Sequence, residues 1–120
     1  MNPHPGDTES VVRHHLQCFI DQQGVDAILS AYADDACFLC ESRAYCGKPA
    51  IRGFFDEFIA ALPPQALGQF TLRSLRVQGE VAHITWSAGP ELPLGTDTFV
   101  VRKGRIVSQT FAMYAEPVNP

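Results

Sequence analysis

Asp97 is the first residue whose type and position could do chemistry. It lies in "GTDTFVVR", where it alternates with Phe99 and Val101, so the three side chains share one face of a predicted strand. If this face is buried, the carboxyl group lies in an apolar place, and such a group usually has a partner or a function. Two interpretations stay open: a pocket acid or base, and a structural carboxyl that bonds a neighbouring strand or helix.

A pair of histidines is the second candidate. His14 and His15 are neighbours in a predicted helix, where consecutive side chains lie about 100° apart, so only one can face inward. His15 shares its side with Val11 and Phe19, which makes it the inward residue. It is a candidate acid, base or hydrogen-bond donor, and the alternative is a core histidine that only packs.

Cysteines are the third candidate set, since Cys37, Cys40 and Cys46 fall within a short segment. Residues three apart on a strand point to opposite faces, which prevents chelation of a metal. No helix start follows the Cys-x-x-Cys pair to activate a thiol. We therefore predict no metal and no cofactor, and we expect these cysteines and Cys18 to be reduced, small buried side chains.

Helices dominate the first half of the chain. "DTES" predicts a helix start capped by Asp7 or Thr8, and Gly24 ends that helix. "VDAILSAY" predicts a short second helix, "ADDA" a turn, "CFLCES" a strand and "RAYCGKP" a loop. "AIRGFFDEFIAAL" predicts a third helix that the following prolines end.

The second half predicts an antiparallel meander. Four strands are indicated by "QFTLRSLRVQ", "EVAHITWSAG", "GTDTFVVR" and "RIVSQTFAMYA", with tight turns at Gly79-Glu80 and Lys103-Gly104. The expected fold class is α+β, with three N-terminal helices on one face of a cone-shaped, curved antiparallel sheet. We expect a single domain over residues 8–116, a flexible segment over residues 1–7 and a tail over residues 117–120.

Composition excludes several functional classes. The chain has 120 residues and a formal net charge of −4, and it has no basic surface of the kind that nucleic acid requires. No apolar stretch is long enough to span a membrane. The N-terminus lacks the apolar segment of a signal peptide, so we expect a cytoplasmic protein.

Several motifs together resemble a known family. "AYADDA" after a short helix, "GKPAIRGFF" at the start of the third helix, and an Asp-x-Phe strand followed by "KGRIV" are typical of SnoaL-like and ketosteroid isomerase-like proteins of the nuclear transport factor-like superfamily. The resemblance covers residues 8 to 115 and implies a cystatin-like α+β barrel. It does not settle activity, because this fold carries isomerases, cyclases, dehydratases, hydrolases and non-catalytic binders.

The resemblance also implies roles for three positions. In ketosteroid isomerase, an aspartate base and an oxyanion site made of a tyrosine and a protonated aspartate act on a carbonyl compound. By the Asp-x-Phe pattern the oxyanion aspartate falls on Asp97, and the tyrosine position falls on His15. The base position falls on Cys40, which is a poor substitute for a carboxylate.

An apolar pocket for a small organic ligand follows from the predicted cone. The residues expected to line it, besides the catalytic candidates Asp97 and His15, are Phe19, Tyr32, Phe38, Cys40, Phe54, Phe58, Trp86, Phe99, Gln109, Phe111 and Met113. We expect a homodimer, because a meander with apolar residues on both faces needs cover on the second one. Three functions remain open: an acid/base isomerase or cyclase, a non-catalytic binder, and a structural dimer with a filled cone.

Overall fold

Three helices pack on one face of a curved, unclosed sheet of six strands in this computed structural model, which describes residues 7–41 and 43–116. The tail predicted over residues 117–120, and the flexible segment predicted over residues 1–7 except for Asp7, lie outside the described residues. The α+β cone predicted from the sequence is therefore confirmed. The helices are α1 (Thr8–Ile20), α2 (Val25–Leu29) and α3 (Lys48–Ala61). The strands are β1 (Tyr32–Cys40), β2 (Arg43–Cys46), β3 (Phe70–Gln78), β4 (Val81–Ala88), β5 (Leu94–Arg102) and β6 (Arg105–Tyr114).

Strand order differs in one respect from a simple meander. The order is β2-β1-β6-β5-β4-β3, and β1 lies parallel to β6 while the other neighbours are antiparallel. The prediction of a purely antiparallel sheet is wrong at this pair, because the chain crosses through α3 and the β3–β5 meander before β6 returns beside β1. Irregular registers in β1–β6, β3–β4 and β5–β6 bend the sheet around the helices.

The region between α2 and α3 is also more extended than predicted. The "ADDA" segment is part of β1, and Tyr32, predicted on a helix, is the first residue of that strand. The "RAYC" part of the predicted loop forms the edge strand β2. β1 pairs with β6 on both sides of the "ADDA" segment, at Tyr32 and again from Cys37, and this flanking pairing overrides the turn signal of the two aspartates.

The β1–β2 hairpin places two cysteines opposite each other. Cys37 pairs with Cys46 in the register, their Cα atoms are 4.1 Å apart, and a disulfide joins them. The prediction of four reduced cysteines is wrong for this pair, because it treated residues 43–46 as a loop. Cys18 and Cys40 are reduced thiols, and Cys18 is buried as expected.

The two tight turns form as predicted. β3 ends at Gln78 and β4 begins at Val81, and Gly79 between them adopts a left-handed φ of 59°. Lys103 and Gly104, between β5 and β6, both have positive φ, as two-residue hairpin turns that match the twist of a sheet require. These short turns fix the registers that place Asp97 on β5 beside β4 and β6.

No helix among residues 7–41 and 43–116 has the length and apolar character needed to cross a membrane.

Candidate functional site

A cavity of about 60 Å³ lies between α1, α3 and the inner face of the sheet. All eight phenylalanines of the chain and its only tryptophan line it. The other lining residues are His15, Leu16, Leu62, Asp97 and Gln109. The cavity is therefore an aromatic chamber that contains one carboxyl group, one imidazole and one amide.

Asp97 reaches the chamber because of strand alternation on β5. It is 7 % exposed, and its register partners are Ile84 on β4 and Phe111 on β6. Both flanking strands are long and apolar on their inner faces, so the carboxyl group cannot reach bulk solvent. The strand face with Asp97, Phe99 and Val101, whose burial the sequence analysis left as a condition, is buried.

Both carboxyl oxygens accept hydrogen bonds from neutral donors. Trp86 Nε1 donates to Oδ1 at 2.8 Å and Gln109 Nε2 donates to Oδ2 at 2.8 Å. Burial raises the pKa of Asp97 to about 6, against these two hydrogen bonds, which stabilise the carboxylate and lower the pKa. Asp97 thus accepts hydrogen bonds on both oxygens, and its pKa lies closer to neutral pH than that of an exposed aspartate.

The hydrogen-bond chain continues from Gln109 to Tyr32. The Tyr32 hydroxyl donates to Gln109 Oε1, which fixes the amide so that its nitrogen faces Asp97. Tyr32 is fully buried, and its pKa is raised well above the ordinary value by burial and by the charge of Asp97. Tyr32 stays a neutral donor and orients Gln109 from outside the chamber wall.

His15 is the second titratable group of the chamber. It is buried while His14 is exposed, as the helical spacing predicts, and its ring makes an edge contact with Tyr32 at a centroid distance of 5.3 Å. Burial lowers its pKa to about 4; a hydrogen bond with the Ile28 backbone raises it and His14 lowers it. Its Nδ1 atom is buried without a partner among the described residues, so a neutral imidazole lines the cavity with unused bonding capacity.

Predicted site residues divide into those that the structure brings together and those that it does not. Lining the chamber are Asp97, His15, Phe19, Phe38, Phe54, Phe58, Trp86, Phe99, Gln109 and Phe111. Tyr32, Cys40 and Met113 do not line it. Tyr32 lies behind Gln109, Cys40 packs against the core, and Met113 lines a neighbouring cleft.

Four chamber residues, one of them Leu62 at the end of α3, escaped the sequence analysis. Phe55 lies next to Phe54 on α3, Phe70 begins β3, and Leu16 follows His15 on α1. Phe70 had a detectable signal, since it is two residues before Leu72 in an alternating strand, and it stacks on Trp86 with a centroid distance of 5.5 Å. Phe55 had no such signal, because helical periodicity alone does not separate cavity residues from core.

Gly95 was also missed. It pairs with Trp86 across β4 and β5, and a Cβ atom at this position would lie 2.1 Å from the indole ring. The absence of a side chain thus lets the indole lie over β5 and donate to Asp97. An isolated glycine inside a strand is a sequence signal for such a close approach.

The sequence matches no protein-family model and none of the curated proteins. Its structure is similar to several solved structures. A SnoaL-like protein of unknown function from Burkholderia thailandensis has a TM-score of 0.74 at 16 % identity, over 95 % of this chain and 100 % of that chain. A candidate polyketide cyclase from Sinorhizobium meliloti has a TM-score of 0.69 at 20 % identity, over 85 % and 93 % of the two chains.

A candidate ketosteroid isomerase from Kribbella flavida has a TM-score of 0.68 at 18 % identity, over 94 % of this chain and 82 % of that chain. Sequence identities this low establish the fold and leave activity open. The chain therefore has the nuclear transport factor 2-like fold that SnoaL-like and ketosteroid isomerase-like proteins share, as the sequence resemblance predicts.

Proposed function

We propose that the aromatic chamber binds a small, largely apolar carbonyl compound and that Asp97 acts on it as a general base. The observation that supports this most directly is a buried carboxyl group that lines a cavity and accepts hydrogen bonds on both oxygens. Each oxygen keeps a second lone pair for a proton. Ligand pockets are generally apolar with a few placed polar groups, which matches this composition.

The pKa of Asp97 suits the role. A base works best when its pKa is near the working pH, because it is then both deprotonated and a useful proton acceptor. At a pKa of about 6, Asp97 is mostly ionised at pH 7 and is a stronger base than an exposed aspartate. It would take a proton from the carbon next to the carbonyl group, and the C–H electron pair would move towards the carbonyl oxygen to form an enolate.

The oxyanion role that the resemblance implies for Asp97 fits the geometry less well. That role needs a protonated carboxyl group that donates to the substrate, whereas Trp86 and Gln109 both donate to Asp97. His15 does not supply such a donor, because a neutral imidazole has one N–H and the hydrogen bond with the Ile28 backbone uses it, which leaves Nδ1 as an acceptor. In this proposal Nδ1 of His15 accepts a hydrogen bond from a donor group of the ligand and so orients it, while Asp97 holds the proton.

Return of the proton to a different carbon would give an isomerase. Attack of the enolate carbon on a second carbonyl group of the same molecule would form a carbon–carbon bond and give a cyclase, with the proton passed to the new alkoxide. Both reactions share the first step, so one measurement tests both.

Exchange of substrate hydrogen for deuterium tests that step. The carbon-bound protons next to the carbonyl of 4-phenyl-2-butanone and related ketones would be followed by proton NMR in D₂O. The wild-type protein should accelerate exchange over buffer, and Asp97→Asn should slow it by at least about 100-fold, the lower end of what a general base contributes. Glu41→Gln, which changes an exposed carboxyl group outside the cavity, should leave exchange unchanged.

A non-catalytic binding module is the second candidate function. Cys40, which stands at the base position by resemblance, has no carboxyl group and does not line the chamber. Ketones that bind but show no exchange above buffer would support this candidate and overturn the enzymatic one. Absence of both binding and exchange would overturn both, and would favour the structural dimer.

A further inference from the structure

The charged residues that line the chamber and its neighbouring cleft are acidic. A surface cleft of about 220 Å³ adjoins the chamber and shares Phe58 and Leu62 with it. We call it the glutamate cleft, because Glu91 and Glu116 line it. Among the described residues, no lysine or arginine lines either the chamber or the glutamate cleft.

The two glutamates are held next to each other. The backbone N–H of Glu116 donates to the carbonyl oxygen of Glu91 at 2.9 Å, which ties the end of the described chain to the β4–β5 connection. Neither glutamate forms an ion pair with a described residue. Two exposed carboxylates therefore lie in a cleft whose apolar residues Phe58 and Leu62 also line the chamber.

Among the described residues that line the chamber, no lysine or arginine neutralises the negative charge of Asp97. Its two hydrogen-bond donors are neutral groups of Trp86 and Gln109, and the nearby imidazole of His15 is neutral at pH 7. Aromatic faces attract cations through their quadrupole, and the chamber walls consist mostly of aromatic rings. The chamber and the glutamate cleft thus both favour a positively charged ligand.

We propose that the ligand is an amphipathic organic cation, with the end of its apolar body in the aromatic chamber and its ammonium group in the glutamate cleft between Glu91 and Glu116. This inference rests on the proposed use of the chamber as a ligand site, and it adds the charge and the two-part shape of the ligand. The chamber alone, at about 60 Å³, holds only the end of such a molecule, so the remainder extends along Phe58 and Leu62 into the cleft.

A matched series of probes tests the charge. The probes 4-phenylbutylamine, 4-phenylbutanol and 4-phenylbutanoate have the same apolar body and end in a cation, a neutral group and an anion. Trp86 is the only tryptophan and lines the chamber, so its fluorescence reports binding. We expect the amine to bind about three- to tenfold more tightly than the alcohol at low salt, the range that two exposed ion pairs allow. The carboxylate should bind most weakly, and high salt should reduce the differences.

A double variant tests whether the ammonium group of the ligand binds in the glutamate cleft. Glu91→Gln with Glu116→Gln should reduce the affinity for the amine to that for the alcohol and leave the alcohol unchanged. The control, Glu41→Gln with Glu80→Gln, removes the same charge from exposed positions that line neither space and should keep the preference. Equal affinities for amine and alcohol in the wild type, or an unchanged preference in the Glu91/Glu116 variant, would overturn the inference.

These experiments distinguish failure of the cation inference from failure of the proposed function. If 4-phenyl-2-butanone binds or exchanges its protons while the amine shows no advantage, the cation inference fails and the carbonyl site stands. If neither the ketone nor any of the three probes binds, both fail. A preference for the amine without any exchange of ketone protons supports the cation inference and leaves a binding site without base catalysis.

Discussion

At the scale of single residues, burial shifts the pKa values of Asp97 and His15 in opposite directions. Burial disfavours the charged form of each, so the pKa of Asp97 rises to about 6 and that of His15 falls to about 4. Both groups thus tend towards neutrality in an aromatic surrounding. Only the carboxyl group keeps its charge at pH 7, because its pKa remains below that pH.

The two shifts have opposite effects on stability between about pH 4 and pH 6. Asp97 has a raised pKa, so its contribution is present at low pH and is lost as pH rises through about 6. His15 has a lowered pKa, so its contribution is present above its ordinary value of 6.5 and is lost as pH falls through about 4. In the wild-type protein these two contributions largely offset each other.

Asp97→Asn should expose the contribution of His15. The free energy of unfolding of the variant should rise from pH 4 to pH 6.5 more steeply than that of the wild type, by about 2–3 kcal/mol over the interval, since one pKa unit corresponds to about 1.4 kcal/mol. Urea unfolding followed at a series of pH values measures this. Parallel pH profiles for the two proteins would contradict the raised pKa of Asp97.

Gly95→Ala should disturb the site without touching a polar group. The added methyl group would collide with the Trp86 indole, and forced repacking of this kind typically costs about 1–3 kcal/mol. We expect a lower unfolding midpoint and a changed Trp86 emission, because the indole must move away from Asp97. Gly53→Ala on α3, where a Cβ meets nothing within 4 Å, is the matched control and should be neutral or slightly stabilising.

At the scale of elements, α3 connects the sheet edge to the chamber. It begins directly after β2 and Gly47, and it places Phe54, Phe55 and Phe58 on the chamber wall. The Gly47 N–H donates to the Ala36 carbonyl at 2.8 Å, which ties the helix start to β1. The Cys37–Cys46 disulfide lies beside this junction, so it constrains the segment from which the helix starts.

Replacement of both cysteines, Cys37→Ser with Cys46→Ser, should lower the free energy of unfolding by about 2–3 kcal/mol, the amount that closure of a short loop contributes. Denaturant unfolding of wild type and variant measures it. Wild-type protein unfolded in the presence of a thiol reductant should match the variant, whereas Cys40→Ser should behave like wild type in both conditions. Insensitivity of the wild type to reductant would contradict a stabilising disulfide.

At the scale of the whole molecule, the sheet has one face without helices. Four of the large exposed apolar residues lie on it or at its ends: Leu39, Val81, Leu94 and Tyr114. Thr98 and Thr110 are opposite each other at its centre. An antiparallel face can be solvated, but an apolar patch on it usually marks an interface. The homodimer predicted from the sequence remains a proposal on this basis.

Light scattering coupled to gel filtration should give twice the mass of one chain for the wild type. Thr98→Lys with Thr110→Lys should give a monomer with unchanged circular dichroism, because like charges at the centre of the face would be buried in the dimer. Asp34→Lys with Asp35→Lys, which puts the same charged side chains on exposed positions of β1, should leave the dimer intact. A monomeric wild type would overturn the proposal.

The sequence by itself determined the fold class, the four strands of the second half with their two tight turns, and the inward position of His15 on its helix. These follow from local periodicity and turn chemistry, which a single chain displays directly. It also determined most of the chamber wall, because alternation on β5 and β6 assigns Phe99, Gln109 and Phe111 to one face.

Only the tertiary structure decided how β1 is paired, and with it the β2 strand and the disulfide. "ADDACFLC" carries turn-forming aspartates, and its extended form depends on β6, which is distant in the sequence. The sequence likewise left open whether Asp97 donates or accepts its hydrogen bonds, because this depends on Trp86 and Gln109 from two other strands. Cross-strand contacts of this kind have no local sequence signal. They distinguish a carboxylate that accepts hydrogen bonds from a protonated carboxyl group that donates one.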